Sequence, residues 1–466
     1  MYYKISNHIA LRKWKYVSKA IYIKGIDHAI NISGEEFEML LMCDGSHDLD
    51  SNSDLIKQLI EKGYIKPCHK GEKVNEWSKL KEYDNLYFPK MNLMITGKCN
   101  MNCLHCFNAK DNAPLNSEWE YNELIKLIND AKNIGIHAFT ITGGEPLVHR
   151  DFLDIVKEIY THDMYVDEVN TNGVLINQAL LDELKKIGCF PLIKISFDGV
   201  GYHNWMRGSK GAEIKTIEAI KLCIKNGFRV KVQTQVNKKN IASIKETSKL
   251  LNDLGVSQMR IIRTTDVPRW KENAHDATLS ITDYYKYMLD FAIDYMNGNY
   301  QMDIDIWQFM KLYPKNKAYF ITPIASCKDD FKLLTPMCKG NRGMIAISSS
   351  GEVVPCLQMS GYLMEKGVSY GNVKKSTLKD IITNSDYLNL AIAPLLKMIL
   401  NNDKCANCKY FKACNGGCPA LGLLYSGEKN DYFYSDLTKC TFFFDGWYDI
   451  IMKRMEKYKL LNPLLI

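Results

Sequence analysis

The residues of this 466-residue sequence best placed to do chemistry are three closely spaced cysteines, Cys99-Asn-Met-Asn-Cys103-Leu-His-Cys106. Clustered thiolates bind metal. Three of them can hold three irons of a [4Fe–4S] cube and leave the fourth iron open to a bidentate ligand. A structural zinc takes four protein ligands. No fourth cysteine is near, although His105 could serve, so zinc stays open at this point. Gly143-Gly-Glu-Pro146 is the second feature. Its glycines let the backbone approach a ligand closely, and Glu145 or nearby carbonyls could accept from an ammonium group. Read alone, it is an ordinary strand-to-helix turn. The third feature is a run of C-terminal cysteines. Cys338 is followed by twelve residues, Gly351, four residues and Cys356; then come Cys405-x2-Cys408-x5-Cys414-x3-Cys418, and finally Cys440. A pair of zinc ribbons could have similar spacings.

The elements that must position these groups follow from periodicity. From 90 to about 263, strand-like runs at 91–95, 138–142, 165–169, 192–196, 230–236 and 259–262 alternate with amphipathic helices. Four helices end at Gly135, Gly188, Gly227 and Gly255, since glycine takes the left-handed helix-ending conformation without a Cβ clash. Ser117 and Glu120 read as a capping box before Leu124, Leu127, Ile128 and Ala131. Six βα units in series imply a parallel sheet, doubly wound or curled as a partial barrel. The first cysteine motif then lies just after the first strand, where such folds place their active sites.

Residues 1–67 read as a small α+β unit. Strands are expected at 2–5, 8–11 and 16–23, helices at 34–43 and 53–62, and a short closing strand after Gly63. The polar stretch 68–88 reads as a linker and 266–330 as a helical bridge. From 331 to 445 periodicity fades while cysteine, glycine and asparagine rise, as in a small domain held together by metal. Residues 446–466 read as a final helix.

The chain has 15 cysteines, eleven of them within 99–106 and 327–440. A disulfide framework belongs to short secreted chains, whereas the N-terminus here has scattered charges and no apolar signal core. No run approaches the ~18 apolar residues of a membrane span. The expected location is the cytoplasm, with no membrane partner. The net charge of +7, from 60 Lys plus Arg and 53 Asp plus Glu, demands no nucleic acid. Cys43, Cys68, Cys189 and Cys223 fit no ligand spacing, and Cys43 and Cys223 read as core side chains.

CxxxCxxC followed by GGEP resembles the radical S-adenosylmethionine superfamily over roughly residues 90–263. The resemblance implies a partial (β/α)6, TIM-like barrel in which Cys99, Cys103 and Cys106 hold a cluster whose open iron is chelated by the amino and carboxylate groups of S-adenosylmethionine. It places Gly143, Gly144, Glu145 and Pro146 at the methionine amine and His105 near the adenine. It also places Thr171, Asn172 and Ser196 near the ribose and Arg207 near the carboxylate. The seven C-terminal cysteines are similar to the SPASM domain of enzymes that modify peptides and proteins. By that pattern Cys405, Cys408, Cys414 and Cys440 hold one auxiliary [4Fe–4S] cluster, and Cys338, Cys356 and Cys418 another, making three clusters in all. Seven thiolates fall one short of two complete cubes, so Cys327, eleven residues before Cys338, is expected as the eighth ligand. The alternative is an open iron. Residues 1–67 resemble the winged-helix-like recognition element of ribosomal peptide (RiPP) maturases, in which a leader peptide adds as a strand to the sheet edge.

Together the resemblances imply a maturase acting on a ribosomal precursor peptide with a leader, supplied with electrons by a flavodoxin- or ferredoxin-type donor. They favour a thioether from a precursor cysteine to carbon, as in sactipeptide and ranthipeptide synthases. Carbon–carbon crosslinking, epimerisation and oxidation of the sulfatase-maturase kind stay open, and no general base can be named from the sequence. The rival from another class is a regulator with a winged helix in front and zinc ribbons behind. It leaves the pairing of Cys99–Cys106 with Gly143–Pro146 unexplained.

Overall fold

The structure, a computed structural model, describes residues 1–463 apart from 27, 111, 112, 115, 266, 325–332, 339–342, 361, 362, 364, 365 and 430. Cys327 therefore lies outside the described residues.

The N-terminal unit contains β1 (Tyr3–Ile5), β2 (Ile9–Lys13), β3 (Ala20–Ile23) and β4 (Ile30–Asn31), helices Gly34–Met42 and Asp54–Glu61, and β5 (Ile65–Pro67). Its first helix starts at a capping box in which Ser33 and Glu36 satisfy each other's backbone N–H. Phe37, Leu40, Ile56 and Leu59 bury one face of the two helices against Ile5, Ile9, Leu11 and Ile21. β4, β3 and β2 form an antiparallel sheet, and β5 returns to pair with β1.

The stretch 68–88 is a packed strap rather than a free linker. Its β6 (Lys81–Glu82) runs parallel to β2. The Arg12 guanidinium donates to the carbonyls of Leu11, Trp77 and Lys79 at 2.7–3.0 Å. The charge-rich composition concealed three aromatics, Trp77, Tyr83 and Tyr87, that group with Trp14 and Tyr22. The Tyr22 ring stacks on His137 of the following unit, centroids 3.8 Å apart.

The central sheet begins with β7 (Lys90–Thr96), followed by a small hairpin of β8 (Ala109–Lys110) and β9 (Ala113–Pro114). It continues through β10 (Ala138–Gly143), β11 (Tyr165–Thr171), β12 (Leu192–Ser196), β13 (Val230–Val236) and β14 (Gln258–Arg263), all parallel and adjacent in chain order. Helices between them cover one face with Leu124, Leu127, Ile128, Ile155, Ile159, Leu181 and Ile220. The four helix-ending glycines have φ of 80–88°. One cap differs from expectation. The helix after Ser117 starts at Tyr121, with Glu120 and Glu123 as its reciprocal cap, because the Ser117 hydroxyl is bonded to Ser349 at 2.6 Å.

The bridge 266–330 is only partly helical. After helices Pro268–Asn273 and Ile281–Asn297 come β15 (Asp303–Ile306), parallel to β14, and the antiparallel strands β16 (Met310–Tyr313) and β17 (Ala318–Ile321). Met310–Tyr313 alternates buried and half-buried residues, Ala318–Ile321 buries three of its four, and the run is dense in aromatic and β-branched side chains. At the other edge β18 (Met344–Ile347), from the cysteine-rich region, lies parallel beside β7, with β19 (Val353–Val354) antiparallel to it. The tail has helix Trp447–Arg454, then β20 (Lys459–Leu460) beside β17. The twelve-stranded sheet starts at β19 and ends at β20. It is the open curl of a partial barrel.

Candidate active site and auxiliary cysteine groups

The residues singled out around the first cysteine motif converge at one rim, the C-terminal ends of β7, β10, β11 and β12. Thr96 ends β7 and leads into the cysteine loop. Gly143 ends β10, and the turn after it binds that loop. The Gly144 N–H donates to the Thr96 carbonyl at 2.7 Å, and the Glu145 N–H donates to that of Lys98 at 2.9 Å. A Cβ on Gly143 would stand 2.5 Å from the Thr96 oxygen; one on Gly144 would stand 2.3 Å from the oxygens of Gly97 and Lys98. Both glycines are thus required by the backbone of the cysteine loop itself.

Glu145 is 1% exposed. Its carboxylate accepts from the Thr171 hydroxyl at 2.7 Å, the Asn172 N–H at 2.7 Å and the Leu147 N–H at 3.2 Å. Burial pushes its carboxyl up from 4.5 to about 7 despite these donors. Thr171 is thereby committed to Glu145. The Asn172 side chain donates to Asn100 Oδ1, within the cysteine loop, at 2.7 Å. Ser196 ends β12 half-buried, level with Gln233.

Arg207 stands on helix His203–Arg207 and is buried. Its Nε lies 2.7 Å from the buried Asp198 carboxylate, and its Nη1 donates to Cys103 Sγ at 3.6 Å. Burial pulls its pKa down, but Asp198 and Cys103 together raise it further, so the guanidinium stays charged. His105 Nδ1 is buried with no hydrogen-bond partner among the described residues. Its ring is held neutral by burial and by the charges of Arg207 and Arg269.

Sequence reasoning missed four residues of this rim. Asn100 and Asn102 lie inside the cysteine motif, and Asp198 lies two residues after Ser196. Arg269 is 5% exposed and donates to Asn102, while its Nε and Nη1 have no partner among the described residues. No sequence signal marked Arg269, because it follows β14 in a stretch without a motif.

Below the rim, the inner face of the sheet is polar. Lys194 pairs with Glu168 at 2.7 Å, Arg260 with Asp305 at 3.5 Å, and Lys90 with Asp167. Lys231, level with Lys194, has no ion-pair partner among the described residues, and burial lowers its amine to about 8. Asn92 Oδ1, Asn170 Oδ1 and Gln235 Oε1 are buried acceptors without a donor among the described residues. A polar molecule inside the curl would meet all of these strands.

The cysteines fall into three groups of thiolates, the donor set of an iron–sulfur cube. Cys405, Cys408, Cys414 and Cys440 all line one cavity, with Lys404 and Lys439 at its edge. Cys338, Cys356 and Cys418 lie within electrostatic reach of one another, and Tyr432 lies within reach of all three. Cys99, Cys103 and Cys106 form the third group. Burial pushes Cys99 up to about 12, Cys106 to about 11, Cys414 to about 12 and Cys440 to about 11. Metal binding must therefore expel protons from these thiols, which positive metal charge accomplishes.

Comparison with known proteins agrees. The profile of the Radical SAM superfamily matches residues 93–251, and that of SPASM, an iron–sulfur cluster-binding domain, matches residues 338–409. An AdoMet-dependent heme synthase of Methanosarcina barkeri is 27% identical over 342 residues, covering 72% of this chain and 92% of its own. A PqqA peptide cyclase of Granulibacter bethesdensis is 22% identical, covering 73% of this chain and 85% of its own. Among solved structures, Streptococcus suis SuiB bound to its precursor peptide SuiA superimposes with a TM-score of 0.66 at 17% identity, covering 94% of this chain and 99% of SuiB. The structure of anSMEcpe with bound AdoMet and a peptide covers 79% of this chain with a TM-score of 0.57. Among the described residues no helix is long and apolar enough to cross a membrane. Rim, cysteine groups and matched profiles agree: the chain is an enzyme with a radical S-adenosylmethionine core, a SPASM extension and [4Fe–4S] clusters.

Proposed function

We propose that this enzyme matures a ribosomal precursor peptide, binding its leader on the N-terminal unit and joining a core cysteine sulfur to carbon. The observation that carries the reading is the N-terminal α+β unit packed on the barrel through Tyr22 and His137. The likeness to SuiB extends over 94% of the chain, whereas that to anSMEcpe stops at 79%. The difference is about the size of that unit. β4 is the free edge of its sheet, two residues long, and offers main-chain groups to an added strand.

Cys99, Cys103 and Cys106 would hold the radical cluster, and the two C-terminal groups would hold one auxiliary cluster each. When bound, cluster and S-adenosylmethionine together supply a 5′-deoxyadenosyl radical that removes hydrogen from the substrate. The chain's own residues do the rest. The turn Gly143–Pro146 presents its carbonyls and the Thr171-braced Glu145 to the methionine amine. Arg207, fixed by Asp198, supplies positive charge for the carboxylate. His105 would serve the adenine, and Asn172 and Ser196 the ribose. The polar inner face holds the core segment and excludes bulk water. Electrons would come from a flavodoxin- or ferredoxin-type donor.

A second reading, a tetrapyrrole substrate, is favoured by the heme synthases among the relatives. That match leaves over a quarter of this chain uncovered. Anaerobic incubation with a short cysteine-bearing peptide, if a neighbouring open reading frame encodes one, separates the two, an unmodified peptide favouring the tetrapyrrole. Loss of two hydrogens with disappearance of a free thiol supports thioether formation. Loss of two hydrogens without thiol loss refutes it in favour of carbon–carbon coupling. Leader binding that Asn31→Pro leaves undiminished refutes the edge-strand site.

A further inference from the structure

The two C-terminal cysteine groups meet at one buried carboxylate. Asp436 is 1% exposed and caps helix Leu437–Phe444, which carries Cys440. Its Oδ1 accepts from the N–H groups of Thr438 at 2.9 Å and Lys439 at 3.4 Å. Its Oδ2 accepts from the N–H of Cys418 at 2.9 Å. Cys418 stands with Cys338 and Cys356, whereas Asp436 itself lines the cavity of Cys405, Cys408, Cys414 and Cys440. The contact is close enough to require glycine beside it: a Cβ on Gly417, whose φ is +85°, would stand 2.3 Å from Asp436 Cβ.

Helix capping alone does not explain an aspartate here. Serine or asparagine would cap as well without placing a carboxyl where burial opposes its charge. What aspartate adds is a second oxygen that reaches Cys418. The network also continues outward. The Thr438 hydroxyl lies 2.8 Å from Tyr425 Oη, which accepts from Arg263 Nη2 at 3.2 Å. Arg263 is the last residue of β14, at the barrel rim.

We propose that Asp436 is a positioning residue shared by both auxiliary cluster sites, fixing Cys418 against the helix of Cys440 and tying both to the barrel rim through Thr438, Tyr425 and Arg263. The inference rests on reading both cysteine groups as [4Fe–4S] sites. Hydrogen bonds and charge just outside the ligand shell tune a cluster's potential, so one carboxylate between two clusters acts on both.

The test uses the full chain, anaerobically reconstituted, with Cys99, Cys103 and Cys106 changed to Ala so that only auxiliary signals remain. Asp436→Asn replaces the second oxygen with a donor that cannot accept from Cys418. Asp436→Ser keeps the helix cap and is too short to reach Cys418, so the helix still forms. Redox titration followed by EPR should show both auxiliary midpoint potentials shifted upward in each variant. A shift confined to one signal, or in neither, overturns the proposal. Hydrogen exchange on the unsubstituted holoenzyme gives an independent reading: the Cys418 N–H should be among the slowest of residues 403–445, and fast exchange overturns the proposal. Fewer than two auxiliary clusters by iron and EPR in the parent chain would sink the cluster reading itself, an outcome distinct from two clusters whose signals do not move.

Discussion

The cysteine loop at the barrel rim and the cysteine groups behind it are built by opposite means. The rim loop is held from outside. Gly143 and Gly144 press on its backbone, Asn172 and Arg269 bond Asn100 and Asn102, and Arg207 reaches Cys103. These residues come from strands and helices that stand on a large apolar core, so the loop would keep its shape without metal. Between 403 and 445 the reverse holds. Four of the helices there have four to eight residues, Asp403–Ala406, Phe411–Cys414, Pro419–Ser426 and Leu437–Phe444, too short to stand on their own. Cys405, Cys414 and Cys440, carried by three of them, face a common cavity with Cys408. One site is scaffold awaiting a cluster; the other needs its cluster as scaffold.

The largest expected effect separates the two regions chemically. Changing Cys99, Cys103 and Cys106 together to Ala should reduce 5′-deoxyadenosine formation to background while roughly two-thirds of the iron stays, each cube being held by its own cysteines. Continued S-adenosylmethionine cleavage by that triple variant would sink the assignment of the rim loop. Chelation should separate them structurally. Removing all iron should leave the exchange protection of β7 and β10–β14 intact while residues 403–445 lose theirs, because metal-binding free energy there is folding free energy. Equal loss of protection in both regions would erase the contrast.

The sheet was legible in the sequence because the βα units repeat one signal, a β-branched run and an amphipathic helix, which in four of them closes on a glycine. Legibility failed where a segment's partners lie far along the chain. β18 pairs with β7 across about 250 residues, and β20 with β17 across about 140, so nothing local marked them as members of the same sheet. The strap 68–88 read as a linker because its aromatics are diluted by charge, although Trp77, Tyr83 and Tyr87 group with Trp14 and Tyr22. At the rim, cysteines and glycines announced themselves by spacing. Asp198 and Arg269 did not, since a buried ion pair and a buried guanidinium bonded to Asn102 are properties of packing, not of pattern. The commitment of Thr171 to Glu145 was equally hidden.

That commitment sharpens the view of the rim as a preformed scaffold. Glu145 has its carboxyl pushed up from 4.5 to about 7 by burial. The folded chain keeps a proton there that the unfolded chain has released. Stability from this group is therefore full below pH 4.5 and is lost as pH rises toward 7, by up to about 3 kcal/mol. Glu145→Gln should flatten that part of the pH–stability curve. It should also cost about 1–3 kcal/mol at pH 5, because an amide nitrogen would then face an N–H donor. An unchanged curve in the variant would mean that Glu145 is not desolvated as the structure has it.

The smallest expected effect comes from the inner face below the rim. Lys231 stands level with Lys194, whose charge is already matched by Glu168, and burial lowers the Lys231 amine from 10.5 to about 8. Here the unfolded chain binds the proton more tightly than the folded one. The cost of holding Lys231 charged is thus present in full below pH 8 and disappears as pH rises toward 10.5, so this group makes the fold more stable with rising pH in that window. The side chain is partly open to solvent, which screens the effect to about 1 kcal/mol. Buried thiols with raised pKa values, such as Cys43, Cys189 and Cys223, titrate in the opposite sense above pH 9. The quantity to read is therefore the difference between parent and Lys231→Met, measured by denaturant unfolding at pH 7.0 and at a pH near 9.5. The variant should be the more stable at pH 7.0, with the gap shrinking at the higher pH. A variant less stable at pH 7.0 would show that Lys231 has an anionic partner after all, and that the inner face is electrically balanced rather than one cation in excess.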